Sequence, residues 1–456
     1  MARQIFFDAS INGQVNGARS KRSPGSTLKP FIYGLALDQG IIHPYTVLKD
    51  APCSFGEYNP ENFDRDFLGP IKAKEALILS RNIPAIYLAN QLKNPTLYQF
   101  LQQASVSRLK AEHDYGLSLA LGGAEVTMVE LVCLYAMLVN HGQWQPARIL
   151  AEESTVSDCL CLLSPEASFL ALDMLRDTPR PYSLNSAMDK QIQVHWKTGT
   201  SSGYRDAWAV GVFGPYVLAV WIGDFNNKRN PAYIGITAAA PLFFKIIDAI
   251  HAQTENLPDL VKAKPEMNLT KVEVCEASGL LPTPHCPHTV STWFIPGKSP
   301  IATDTVHREI AINPATGLRT CHIDQQTQFK VYEFWHSDLL TIFAQAGMPR
   351  RIPPPFESES SAMSDEGGNP PQIISPQQDL SYTVRFDRID NPILFFAIAD
   401  ADVKTLYWFV DHDLIGCSER DKPLRWQARS GTFSVRVVDD HGRTDVRNLV
   451  IQDLKK

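Results

Sequence analysis

Apolar residues follow two rhythms along this 456-residue chain. Up to about residue 255, helical spacing alternates with one cluster of strands. A largely apolar run from Phe31 to Leu37, closed by Gly40, predicts a helix. Pro30 is tolerated only near a helix start, so this helix is expected to begin at about Ser26. Residues 71–79 and 85–92 read as two further helices joined by a tight corner, with Pro84 opening the second, and residues 126–140 as a long apolar helix ending at His141-Gly142. Residues 191–196, 207–213 and 217–222 read as three successive strands. The longest apolar stretch, 208–223, is broken by Gly214-Pro215, which makes it two strands and a turn and not a membrane span.

Beyond residue 255 the rhythm changes. Residues 256–352 form an irregular, proline-containing spacer with several histidines close to cysteines. Residues 353–371 hold prolines, serines, glycines and acids and read as a linker. Within 372–456, short alternating runs at 382–386, 393–398, 405–410, 432–438 and 449–451 predict a small β-sandwich. The chain is therefore expected to be α+β, with a domain over 1–255, the spacer, the linker and the sandwich. No internal repeat is found.

Composition narrows the function classes. A hydrophobic content of 44% supports real cores. The net charge of −6 and the shortness of every basic run give no electrostatic case for nucleic acid. No export signal or membrane segment is read in the chain.

Three polar clusters carry candidate chemistry. Ser26-Thr27-Leu28-Lys29 sits at the mouth of the first helix, after the Pro24-Gly25 break. One turn of helix puts Lys29 on the same face as Ser26, at the positive end of the helix dipole. A serine with an amine beside it is a candidate nucleophile. Spacing alone is weak, because Ser107-Arg108-Leu109-Lys110 also fits S-x-x-K and reads as surface. A hydroxyl-plus-amide pair, S-x-N, would relay a proton and hold an amide. Of Ser10-Ile11-Asn12, Ser80-Arg81-Asn82 and Ser183-Leu184-Asn185, the second is chosen because it occupies the interhelical corner. The alternative is that Ser80 only caps a helix. Lys197-Thr198-Gly199-Thr200 follows a strand-like segment. A glycine there suits close approach of another backbone, and Lys197 with the hydroxyls of Thr198 and Thr200 would hold a carboxylate. The alternative is that Gly199 starts a turn.

In that order the three motifs resemble the penicilloyl-serine transferase superfamily of penicillin-binding proteins and serine β-lactamases. The segment from Arg22 to Phe31, Leu121-Gly122-Gly123-Ala124 and Arg205-Asp206-Ala207-Trp208 look like those of bifunctional, class A penicillin-binding proteins. Glu333-Phe334-Trp335 and Leu406-Tyr407-Trp408-Phe409 carry the similarity towards the C-terminus. The resemblance implies a serine β-lactamase-like transpeptidase fold, peptidoglycan stem peptides and β-lactams as partners, and a place on the periplasmic side of the bacterial inner membrane. It implies Ser26 as nucleophile, Lys29 as its base, Ser80 as proton shuttle and Asn82 on the acyl amide. Lys197, Thr198, Gly199 and Thr200 would form the carboxylate-binding strand, and the amides of Ser26 and Thr200 the oxyanion hole. A neutral Lys29 near pH 7 costs roughly 4–5 kcal/mol relative to free lysine. Burial and the charge of Lys197 push in that direction. A lactamase would need a further carboxylate, usually in E-x-x-L-N, which this sequence does not contain. The family's anchor, glycosyltransferase domain and opening strands are not matched here, so an inactive remnant, or a half completed by a glycosyltransferase fragment, is the alternative expectation.

The eight cysteines give no C-x-x-C pair. Cys286-Pro287-His288 and Cys321-His322 do not make a convincing zinc spacing, and no metal or cofactor is expected. Disulfides among Cys275, Cys286 and Cys321 are the alternative if the chain reaches an oxidising compartment. Core packing is the default for Trp408 and Phe409.

Overall fold

The first long helix, α1 (Lys29–Asp38), is buried on every side up to Leu37. An apolar helix with no polar face belongs at the centre of a domain, and this one packs against α5 (Pro165–Leu175) and α3 (Asn82–Gln91). A computed structural model of the chain describes residues 7, 13–53, 59–150, 159–181, 192–254, 257–357, 368–378, 380–384 and 392–453. Two units are present: Met1–Gly279 with Val290–Ile301, and Leu280–Thr289 with Ala302–Lys456.

The start of α1 differs from expectation by three residues. Gly25–Leu28 forms a 3-10 turn, and the α-helix proper begins at Lys29. Pro30 is the physical reason. It has no N–H to donate to the Ser26 carbonyl, which accepts from Lys29 N instead. Around α1, the Phe31 ring stacks on Phe100 at 5.7 Å and meets Tyr135 edge-on at 5.4 Å. Tyr135 lies on α4 (Met128–Val139), whose start is fixed by a capping box between Thr127 and Glu130. Helix α2 (Ala73–Ile78) leads through the corner into α3.

The other layer of the first unit is an antiparallel sheet of β1 (His195–Thr200), β2 (Asp206–Phe213) and β3 (Tyr216–Gly223), in that order. Every residue of β2 is buried, as a central strand covered on both faces requires. Helix α6 (Ala240–His251) packs on the sheet through Phe243 and Phe244, which both contact the Trp196 ring. Strand β1 runs on through Thr200, so Gly199 lies inside a strand and does not start a turn. Gln191, the expected start of this strand, lies outside the described residues.

In the second unit, β4 (His307–Ile312) pairs antiparallel with β5 (Gln328–Glu333), and α7 (Ser337–Gln345) follows. Among its described residues, the C-terminal part has eight strands: β6 (Gln372–Ser375), β7 (Ser381–Val384), β8 (Pro392–Ile398), β9 (Thr405–Val410), β10 (Asp413–Glu419), β11 (Leu424–Gln427), β12 (Gly431–Asp439) and β13 (Thr444–Asp453). They form sheets of order β6-β8-β11 and β7-β13-β12-β9-β10. Trp408 is fully buried between Phe395 and the β12 valines, whereas Tyr407 is exposed. The end of the strand expected over 382–386 lies outside the described residues, as does most of the linker. Among the described residues no helix is long and apolar enough to cross a membrane. The structure joins no two of the described cysteines by a disulfide, Cys275, Cys286 and Cys321 included.

Candidate active site

Three segments of the first unit meet around Lys29. The first is the 3-10 turn itself, anchored from below. Thr27 donates its hydroxyl to the Pro24 carbonyl at 2.9 Å, Tyr135 Oη donates to the Thr27 carbonyl at 2.9 Å, and Trp208 Nε1 to the Ser23 carbonyl at 2.9 Å. Ser23 Oγ donates to the Gly122 carbonyl at 2.8 Å, which ties the turn to the Leu121–Ala124 loop. Ser26 is thus held rigidly with its side chain half-buried, while Thr27, Leu28 and Lys29 point inward.

The second segment is the corner between α2 and α3. Ser80 N donates to Leu77 O at 3.1 Å and Arg81 N to Ala76 O at 2.9 Å, a Schellman ending with Ser80 in the left-handed region at φ 59°. Glycine usually holds this position, because a Cβ there is strained. Ser80 is not the N-cap of α3: that position is Arg81, which makes no side-chain capping bond.

The Lys29 ammonium reaches this corner. Its Nζ donates to Ser80 O at 2.5 Å, Asn82 Oδ1 at 2.7 Å and Arg81 O at 3.0 Å, with Ser80 Oγ at 3.4 Å. All four bonds go to the corner and none to the Ser26 hydroxyl. Burial pushes the Lys29 pKa well below the ordinary lysine value, the charges of Lys197 and Arg81 push it further down, and Asp50 opposes them.

Behind the corner lies a polar shell that no local sequence pattern announced. Arg81 is buried and donates Nε to Asp50 at 2.7 Å, Nη1 to Asp64 at 2.6 Å and Nη2 to the Asp66 carbonyl. Asp50 also accepts from Asn62 Nδ2 at 2.7 Å and Leu68 N at 3.0 Å. Asn62 Oδ1 in turn accepts from Asn82 N at 2.7 Å. The middle residue of S-x-N thus anchors the two residues that flank it. Asp50 lies 31 residues from Arg81, beyond the reach of periodicity.

The third segment is β1. Lys197 is buried, and burial lowers its pKa to about 7. Its Nζ donates to the Thr198 carbonyl at 3.3 Å. Thr200 Oγ1 accepts from Gly235 N at 3.0 Å, which leaves its own hydroxyl proton to donate elsewhere. Gly199 and Gly25 let this strand touch the serine turn. A Cβ on Gly199 would overlap the Pro24 carbonyl, and one on Gly25 (φ 54°) would lie 2.5 Å from the Thr200 carbonyl.

Of the other sequence candidates, Ser107 donates its hydroxyl to Glu130 at 2.7 Å on the surface, away from this site. Ser10, Asn12, Ser183 and Asn185 lie outside the described residues. The assembled site offers a hydroxyl on a rigid turn, a buried lysine of depressed pKa on a serine–asparagine corner, and a lysine–threonine strand edge. Such a set suits acyl transfer from a substrate bearing a carboxylate.

Comparisons with known proteins match three segments of the chain to known families. Residues 12–248 match the penicillin binding protein transpeptidase domain, residues 265–309 the penicillin-binding protein 1A C-terminal domain, and residues 360–449 the penicillin-binding protein C-terminus family. Penicillin-binding protein 1C of Escherichia coli is 34% identical over 306 residues, covering 64% of this chain and 38% of that protein. Penicillin-binding protein 1A of Clostridium botulinum (strain Hall) is 29% identical over 326 residues, covering 65% of this chain and 38% of that protein. The chain thus spans well under half the length of these curated relatives. Among solved structures, penicillin-binding protein 1A of Haemophilus influenzae shares the fold with a TM-score of 0.53 at 22% identity, over 64% of this chain and 51% of that one.

Proposed function

Because the chain belongs to the penicillin-binding protein transpeptidase family, we propose that its first unit is a serine D,D-transpeptidase acting on peptidoglycan stem peptides and acylated covalently by β-lactams. Ser26 Oγ attacks the carbonyl carbon of the penultimate D-alanine. Its proton passes to Lys29 and, through Ser80, to the nitrogen of the departing D-alanine. The peptide bond breaks and an ester to Ser26 remains. An amine of a neighbouring stem then attacks that ester, giving its proton back along the same route, and the cross-link forms as Ser26 is released. Asn82 holds the acyl amide, and Lys197 with Thr198 and Thr200 holds the terminal carboxylate. The amides of Ser26 and Thr200 receive the oxyanion. In this reading the chain works in cell-wall synthesis, on the periplasmic side of the inner membrane.

The observation that carries the reading is the bonding of buried Lys29 to both Ser80 and Asn82, beside a serine turn pressed against the Lys197–Thr200 strand. A stem pentapeptide ending in D-alanyl-D-alanine, mixed with an acceptor amine, tests it. The expected result is D-alanine release with formation of the cross-linked product, both lost in Ser26→Ala. Equal turnover by Ser26→Ala, or none by a folded wild-type chain, overturns it.

A further inference from the structure

In the second unit, three side chains of different chemistry converge on one point. Cys286 Sγ donates to Asp304 Oδ2 at 3.1 Å, and His307 Nδ1 lies 2.7 Å from the same oxygen. The Asp304 and His307 side chains are almost wholly buried, and Cys286 is half-buried. Their backbones are fixed independently of these contacts. Cys286 N donates to Thr283 O at 3.1 Å, and Asp304 N to Leu281 O at 2.8 Å. His307 opens β4, with its own N donating to Asp304 Oδ2 at 3.2 Å. The sulfur also accepts from Thr283 N at 3.3 Å.

We infer that Cys286, Asp304 and His307 form a binding site for a zinc-class divalent cation, which fastens the 281–286 loop to the start of β4. A thiolate, an imidazole and a carboxylate are the three side-chain ligands zinc takes, and a mixed set of this softness disfavours magnesium or calcium. Zinc bonds of about 2.0–2.3 Å in tetrahedral geometry need ligand atoms roughly 3.3–3.7 Å apart. The present separations of 2.7 and 3.1 Å are a little short of that, so small side-chain rotations open the site. Asp304 and His307 also line an open cleft of about 400 Å³, which gives an ion a route in. Binding balances its protons simply. Cys286 releases its thiol proton, and the imidazole proton moves from Nδ1 to Nε2 so that Nδ1 can bind. From the sequence, Cys286 is a candidate ligand only with His288; its partners here, Asp304 and His307, lie farther along the chain and follow no C-x-x-C or H-x-H spacing.

The full chain, purified without chelator and freed of any histidine tag, is loaded with zinc, passed through gel filtration and assayed for bound metal. About one zinc per chain is expected, falling at least fivefold in Cys286→Ser and in His307→Gln but kept in Cys417→Ser, which alters an exposed cysteine of β10. Cobalt in place of zinc should give a thiolate-to-cobalt charge-transfer absorption in the wild type and in Cys417→Ser. This spectrum and a zinc-dependent rise in the melting temperature of the chelator-treated wild type read the site even where a variant fails to fold. No retained zinc, zinc retained equally by folded Cys286→Ser, cobalt bound without the charge-transfer band, or mass-spectrometric detection of Cys286 in a disulfide overturns the inference.

Discussion

Ser80→Gly should make the protein more stable and far less active at once. Ser80 sits at φ 59°, at the left-handed end of a Schellman turn. A side chain in that region costs about 1–2 kcal/mol. Glycine removes the strain, but its freer unfolded chain takes back roughly 0.5–1 kcal/mol. The side-chain bond lost is the long one from Lys29 at 3.4 Å, since the Ser80 carbonyl still accepts from the same ammonium. The net gain is about 0.5–1 kcal/mol, which raises the melting temperature by roughly 1–4 °C in a domain of this size. The second-order rate of acylation by a fluorescent penicillin should fall about 10²–10⁴-fold, as loss of a positioned proton-transfer group does. Ser80→Ala is the control: the same loss of rate, with no gain in stability. Acylation of Ser80→Gly at the wild-type rate would refute the relay, and a clear loss of stability would refute the argument from strain.

The remaining predictions probe the same site from other sides. Asp50→Asn leaves one acceptor oxygen for donors that now share two, and it uncouples a buried arginine from its fully buried carboxylate partner. Denaturant titration should show a loss of about 3 kcal/mol, the low end for breaking a buried pair, because Asp64 keeps its own bond to Arg81. Gly199→Ala drives a methyl into the Pro24 carbonyl. Stopped-flow acylation should slow about 10²-fold, the effect of shifting a nucleophile by around 1 Å. The pH dependence follows from the two lysines. Lys29 must be neutral to accept a proton, so acylation rises with pH on the acid side. Lys197 must be charged to hold a carboxylate, and in the free protein it loses its proton as pH passes about 7, so kcat/KM falls on the alkaline side. Lys197→Arg keeps its charge and should remove that falling limb. Burial of Lys197 also has a sign in stability: between about pH 7 and the ordinary lysine range, near 10.4, the unfolded chain binds the extra proton, so stability rises with pH across that window.

Much of the architecture was legible because hydrophobic spacing is a local signal. The all-apolar run after Ser26 marked the central helix, and the break at Gly214-Pro215 marked the hairpin of β2 and β3. The start of α1 was misplaced by three residues because the same proline that signals a helix start also withholds the N–H that would make Ser26 helical. Strands β6, β10 and β11 were not expected. The last two hold only exposed and half-buried residues, with little apolar contrast to read. At the site, the S-x-x-K, S-x-N and K-T-G segments were visible as motifs, but their meeting is a property of the fold. The shell of Asp50, Asn62 and Asp64 around Arg81 was invisible, since only tertiary packing brings those carboxylates to the guanidinium. The same holds for Cys286 and Asp304, 18 residues apart.

Intact-mass spectrometry of the chain after exposure to benzylpenicillin, followed by peptide mapping, shows whether Ser26 is the nucleophile that is acylated. A single penicilloyl adduct is expected on the peptide containing Ser26, absent from Ser26→Ala and formed much more slowly by Lys29→Met. A folded wild-type chain that gains no mass, or an adduct mapped to any other serine, would contradict it.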